Sequence, residues 1–388
     1  MSIPGSPSPF SFDLLPYLQL HLAKDIGSIL ASRLLLHFGS PEAVLAAPAK
    51  LLEEVEQIGP RKAAAIRSAG DPSAARKQLR LAAERGIRIL CFHDDAYPSP
   101  LRYIPDPPLC LFVRGTWQPE DAVAIAIVGT RRCSHYGREQ ARRFGWALGG
   151  SGFTVVSGLA RGVDAAAHRA AMDAGGRTVA ILGGGVDAVY PPEHESLATE
   201  ISDSGGAVIS EYPLQLPPVA GNFPRRNRLI AGLSLGVLVI EAGRRSGACI
   251  TARLAQEYNR EVFAVPGRID QPSTTAGVNR MIRDGQAKLV TSLDDVLAEL
   301  DEVGAIMSDS PIRRECTLSR NVSSLTSEEQ RVLGAIRAGH RSSPAISRES
   351  ELAMSKVNAG IVSLQLKGWI TRLPGDEYVV RVSADGKP

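Results

Sequence analysis

Six short apolar runs, "AVAIAIV", "FTVVS", "TVAIL", "GAVIS", "GVLVIE" and "EVFAVP", punctuate residues 122 to 266, and helical periodicity fills the segments between them. No other feature restricts the fold as strongly. A strand of near-continuous apolar residues is buried on both faces, and such strands alternating with helices build a parallel sheet covered on both sides. The expected class is α/β, an extended Rossmann-like doubly wound parallel sheet reaching about Leu300.

The flanks read differently. Residues 1 to 12 are rich in Pro and Ser and are expected to fray, whereas from Leu14 to Ala83 apolar residues recur at helical spacing. Within that stretch "VEQIGPRKAAAIRSA" has the pattern of a helix-hairpin-helix turn, in which amides around Gly59 with Arg61 and Lys62 would hold a phosphate. The usual second glycine is missing, and a plain helix start with Pro60 in its first turn explains the residues equally. Residues 302 to 323 are polar and aperiodic, as a linker is. Thr326 and Glu329 then form a capping box before "RVLGAI", two more short helical patterns follow, and "GWITRLPGDEYVV" reads as two strands around Pro374-Gly375-Asp376. A chain of 388 residues exceeds what one core usually holds. The expected division is a helical (SAM or helix-hairpin-helix-like) domain at 1–85, the sheet domain at 86–300, a linker at 301–323 and a winged-helix-like domain at 324–388.

Charge sharpens the picture. The net charge is only +3, but Ala220 to Lys288 carries eleven Lys and Arg against five Asp and Glu. The five cysteines are widely spaced and form no CxxC pair, so neither a disulfide framework nor a thiolate zinc site is indicated. The N-terminus lacks the basic and apolar regions of a signal peptide, and no apolar run approaches a membrane span, so a cytoplasmic protein is expected.

In an open parallel sheet, ligands bind beyond the carboxyl ends of the strands. Those ends carry Gly129, Thr130, Arg131 and Arg132, then Ser157, Gly158, Arg161 and Gly162, then the glycines 183 to 185. Arg244, Ser246 and Gly247 follow another strand, and Gly267 and Arg268 the last. Glycine admits a close backbone approach, helix N-termini present free N–H groups, and guanidinium groups complete an anion site. Each loop alone could be an ordinary turn with solvated arginines; five on one edge describe a surface for several phosphates.

Two phosphate chemistries are excluded. The P-loop pattern GxxxxGK[ST] is absent, since Gly-Lys occurs only at Gly386-Lys387, and GxGxxG does not follow the first strand. Asp164 and His168, four apart on one helix face, could form an acid–base pair, but no third ligand suggests a metal; a dipole-favoured Asp and a packed His is the simpler reading. Glu241 ends a strand, where it could catalyse or hold Arg244 or Arg228 in position. In "GNFPRRNRLIAGLS" the aromatic Phe223 stands beside Arg225, Arg226 and Arg228, with Gly221 and Pro224 suggesting an exposed turn before a helix. An exposed aromatic among guanidinium groups is a platform for an unpaired base, which favours single-stranded nucleic acid.

The segments "DDAYPSPLRYIPDPPLCLFVRG", "VGTRRCSHYG", "SGLARGVDAAAH", "ILGGGVDAVYP", "ISEYP", "GNFPRRNRLIAGLS", "VIEAGRRSGACITARLA" and "FAVPG" resemble, in this order, the DprA (Smf) family of bacterial DNA-processing proteins. The likeness spans about residues 86 to 290. It implies a non-catalytic, cofactor-free protein that binds single-stranded DNA, forms homodimers and helps load the RecA recombinase during natural transformation. By motif, the DNA site would take Gly129, Thr130, Arg131 and Arg132 from the first loop and Ser157, Gly158, Arg161 and Gly162 from the second. Phe223, Arg225, Arg226, Asn227, Arg228, Arg244, Ser246 and Gly247 would complete it. Some members place a lysine where this chain has Ala220. The competing expectation is a Rossmann-like hydrolase of the phosphoribohydrolase type, whose PGGxGTxxE loop supplies a catalytic acid. Here Ile250 and Thr251 stand about where that acid belongs. The C-terminal module could instead read duplex DNA, although its third helical segment has few donors beyond Lys356 and Lys367.

Overall fold

The computed structural model describes residues 13–300, 325–366, 369–373 and 377–380. The expected fraying of residues 1 to 12, the linker and the turn at Pro374-Gly375-Asp376 lie outside them. Helices α1 (Leu14–His21), α2 (Ser28–Phe38), α3 (Pro41–Ala46), α4 (Ala49–Leu52), α5 (Pro60–Ala69) and α6 (Ser73–Glu84) come first. Asp13 caps α1 by accepting from Leu15 N at 3.0 Å. Gly59 caps α5 and Pro60 occupies its first turn, while Arg61 pairs with Asp25 at 2.8 Å and Lys62 donates to Gln57 O. Both cations of the candidate hairpin are thus held by protein partners.

All six apolar runs form strands: β3 (Ala124–Gly129), β4 (Thr154–Ser157), β5 (Thr178–Ile181), β6 (Ala207–Ser210), β7 (Gly236–Ile240) and β8 (Glu261–Ala264). They pair in parallel, and β9 (Lys288–Leu289) extends one edge. On the other edge β1 (Arg88–Cys91) and β2 (Cys110–Gly115) add antiparallel to β6. The order β1-β2-β6-β5-β4-β3-β7-β8-β9 reverses direction between β3 and β7, which places a ligand crevice at their carboxyl ends.

Side chains alternate across the sheet and sort into separate cores. Ile125, Ile127, Leu238 and Ile240 pack beneath α7 (His135–Gly150) and α8 (Val163–Asp173). Ala126, Val128, Val237 and Val239 face α10 (Asn222–Gly232) and α11 (Gly247–Glu257). Towards the β1–β2 edge, Ile89, Cys110, Phe112 and Val208 join Leu18, Leu34 and Ile66 of the N-terminal helices and Leu197 of α9 (Glu195–Asp203) in one buried cluster. The N-terminal helices therefore share a core with the sheet.

In the C-terminal part, helices Ser327–Arg337, Ser343–Ser350 and Met354–Leu366 precede the antiparallel pair β10 (Ile370–Leu373) and β11 (Glu377–Val380). The expected capping box is formed, with Glu329 N donating to Thr326 Oγ1 and Thr326 N to Glu329 Oε2. Three helices and a hairpin make this a winged-helix domain, and Lys356 on its third helix is paired with Glu328 at 2.6 Å.

Candidate nucleic-acid interface

A crevice of about 910 Å³ opens at the β3/β7 switch point. One wall is Gly129–Arg132, the opposite wall is Gly243–Gly247, and the floor is the first half of α10. The β3 loop is tied from both sides. Thr130 N donates to Glu241 O at 2.8 Å, and the buried Glu241 carboxylate accepts from Ser134 N at 2.8 Å and from Ser134 Oγ. Glu241 thus secures the start of α7 and does not position Arg244 or Arg228; the expected roles are replaced by this one. From the other side Val163 N reaches Thr130 O, and Gly162 adopts φ +81° with its Cα so near that an added Cβ would lie 2.5 Å from Thr130 O.

The β4 loop is built around Asp164. Its carboxylate, in the first turn of α8, accepts from Gly158 N at 3.2 Å and Ala160 N at 3.3 Å in the preceding loop. Burial raises its pKa, opposed by the charge of Arg226 and by these N–H groups. His168 bonds Thr178 Oγ1 at 2.6 Å in the interior, where burial lowers its pKa to about 3. Both therefore serve structure. Ser157, expected at the ligand, is fully buried with its hydroxyl on Ile127 O at 2.6 Å. Arg161 is exposed and paired with Glu193.

Phe223 does not sit in a turn before a helix. Helix α10 begins at Asn222, with Phe223, Pro224, Arg225, Arg226 and Arg228 inside it. Proline is tolerated in a first turn, whose N–H groups have no intrahelical partner, so Pro224 did not mark an end. Helical geometry then separates the basic residues. Phe223, Arg226, Asn227 and Ile230 face the crevice. Arg225 and Arg228 line a second cavity of about 760 Å³ beside α2. Arg228, expected on DNA, pairs there with Asp106 at 3.0 Å and Glu211 at 2.5 Å. Arg226 is also buried: Nη1 donates to Gly158 O at 2.7 Å and to Ile181 O, and burial lowers its pKa to about 10, so it stays charged at neutral pH. Asn227 Nδ2 reaches Gly247 O at 3.2 Å, tying α10 to the β7 loop.

What remains free is electropositive. Arg131, Arg132, Arg244 and Arg245 are exposed on the two walls, and none has an ion-pair partner among the described residues. Arg131 Cζ lies 5.1 Å from the Phe223 ring centroid, and Phe223 packs over Gly183, where an added Cβ would be 3.0 Å from Cδ1. Ser246 caps α11, accepting from Ala248 N at 3.3 Å, so that Gly247 begins the helix at the rim. Gly267 and Arg268 stand apart: Gly267 N is bonded to Asn279, and Arg268 pairs with Asp270 at 2.8 Å. The sequence reading passed over two crevice residues, Arg245, visible beside Arg244, and Tyr190, whose ring centroid is 5.6 Å from that of Phe223. Ala220 lines the crevice as well.

A family model described as DNA recombination-mediator protein A matches residues 88–301, and one for the DprA winged helix domain matches residues 318–376. The chain belongs to the DprA (Smf) family. It is 39% identical to Protein Smf of Escherichia coli K12 over 281 residues, 72% of this chain and 74% of that one. It is 32% identical to Protein Smf of Synechocystis over 381 residues, 92% and 96% of the two chains. The fold matches the crystal structure of DprA from Streptococcus pneumoniae with a TM-score of 0.62 at 33% identity, covering 73% of this chain and 95% of that one. A DprA structure from Helicobacter pylori, reported for that protein's single-stranded DNA binding mode, matches at TM-score 0.50 and 28% identity over 57% of this chain and 96% of that one. Among the described residues of this DprA-family chain, no helix is long and apolar enough to cross a membrane, and no group of three or more His, Cys, Asp or Glu could hold a metal ion.

Proposed function

We propose that this chain is a non-catalytic protein that binds single-stranded DNA in the β3/β7 crevice. The observation that carries the reading is the pairing of Phe223 with four exposed arginines lacking carboxylate partners among the described residues. Duplex bases offer no free face, so a ring at the floor of a basic crevice suits an unpaired base, stacked where Arg131 now lies, with phosphates on Arg131, Arg132, Arg244 and Arg245. Gly129, Thr130, Ser246 and Gly247 bring backbone close to the strand, while Gly158, Gly162, Arg226 and Asn227 hold the walls. Ser157 and Arg228 act in stability. The buried carboxylates of Asp164 and Glu241 are occupied by backbone amides, and about where a phosphoribohydrolase needs its acid α11 carries Ile250 and Thr251, the Thr251 hydroxyl donating to Gly247 O. That disfavours hydrolysis.

Family membership supports the finer reading, in which a cytoplasmic homodimer hands its strand to the RecA recombinase in natural transformation; D-loop formation by RecA with and without this protein tests that step. Binding itself is tested by anisotropy with a short oligothymidylate. Neutralising about four phosphates gives a slope of log affinity on log salt near −3, and Phe223→Ala and Arg131→Ala should each weaken binding roughly tenfold. Wild-type affinity in both variants, or release of base from nucleoside monophosphates, refutes the reading.

A further inference from the structure

Four side chains from separate segments form a row, three of them lining the crevice and the fourth, Arg161, standing at its end. Arg131 Cζ lies 5.1 Å from the Phe223 centroid, Phe223 lies 5.6 Å from Tyr190 with the rings inclined at 53°, and Arg161 Cζ lies 6.0 Å from the Tyr190 centroid. We propose that Tyr190 and Arg161 form a second nucleotide subsite beside Phe223, an inference that rests on the single-strand reading of the crevice.

Tyr190 has no place in the core. It keeps 36% of its surface exposed and lines the crevice. A large ring left this open beside a guanidinium offers a face to a base. One base cannot serve both rings, because inserting it between them needs twice the ~3.4 Å base spacing and the centroids are closer than that. The two rings therefore take successive bases, and their inclination turns the strand at that step. Arg161 repeats the part of Arg131 at the other end. It is paired now with Glu193, and both side chains are about half exposed, at 51% and 50%. Exposed pairs of this kind hold weakly, so a phosphate oxygen can replace the carboxylate as the partner of Arg161.

The test is a set of tetrathymidylates carrying one abasic nucleotide at each position in turn, titrated against the full chain. The wild type should show two adjacent sensitive positions, each costing roughly tenfold. Tyr190→Leu should bind the intact oligonucleotide roughly tenfold more weakly and lose sensitivity at one of those positions, Phe223→Ala at the other. Tyr190→Phe should behave as wild type, and Arg161→Ala should lower the salt slope by about 0.7, one phosphate. A single sensitive position in the wild type overturns the second subsite whatever the variants do. So does a Tyr190→Leu protein with wild-type affinity and pattern while Phe223→Ala is impaired. If Phe223→Ala and Arg131→Ala are also unimpaired, the crevice itself is not the DNA site, which is a distinct result.

Discussion

Replacing Arg226 by Met tests the central claim about how this crevice is held. Arg226 is 5% exposed and joins three elements, donating to Gly158 O beyond β4 and Ile181 O at the end of β5 from its place on α10. It also borders Asp164: a Cβ added at Gly158 would fall on Arg226 Nη2 and lie 2.9 Å from Asp164 Oδ2. Methionine keeps the length and the apolar stem but removes the donors and leaves a buried carboxylate without its cation. Breaking such a buried charge arrangement costs about 3–5 kcal/mol, a large share of the roughly 5–15 kcal/mol that holds a typical domain. The loss should depend on pH. Burial raises the Asp164 pKa and Arg226 opposes that rise. A carboxyl raised on folding adds stability below its unfolded pKa and loses it as pH rises through its folded pKa. Without Arg226 the folded pKa climbs further, so ionisation by pH 7 is more costly in the variant than in the wild type. As pH falls the carboxyl takes up its proton, and the deficit shrinks towards the lost hydrogen bonds alone, about 2 kcal/mol. Urea unfolding of both proteins at pH 4 and pH 7 measures the gap. A deficit below about 1 kcal/mol at pH 7, or one that narrows as pH rises, refutes the reasoning.

Arg228→Ala strips the cation from Asp106 and Glu211 and should destabilise the fold by about 3–5 kcal/mol, while the folded protein keeps its single-strand affinity; a tenfold loss in anisotropy titrations would return Arg228 to the binding surface. Gly162→Ala forces a side chain into a φ of +81° against Thr130 O, a strain on the order of 1–3 kcal/mol. It should lower both the unfolding midpoint and DNA affinity, because the displaced segment is the Thr130–Arg131 loop. A chain beginning at residue 86 would uncover Ile89, Leu109 and Phe112 where the N-terminal helices pack. Removing cover from these side chains should cost on the order of 5 kcal/mol, read as a lower melting temperature and increased binding of an apolar dye; an unchanged melt would show that the shared core does not matter.

How far the sequence could be read depended on whether a residue's partners were local. The six parallel strands were legible because each run is dominated by consecutive apolar residues with no alternation of polar ones, so burial on both faces follows from the run itself. β1 and β2 were not, since no α-helix separates "RILC" from "CLFVRG" to mark the repeat, and they are defined by pairing with each other and with β6. The same limit governed the charges. Glu241 takes its partner from Ser134, and Arg228 takes Asp106 and Glu211, all distant in sequence. Ion pairing therefore decided which arginines stayed free, and spacing alone could not. The basic cluster of α10 is a different case, because the decisive signal was local. Starting the helix at Asn222, with Pro224 in its first turn, puts Phe223, Arg226, Asn227 and Ile230 on one face and Arg225 with Arg228 on another. Three arginines within four residues thus divide between a crevice that meets solvent and a junction that binds the N-terminal helices to the sheet. The segment that looks most like a DNA contact is, at Arg226 and Arg228, the part that fixes the crevice in place, and the exposed charge of the crevice walls comes from the loops on either side.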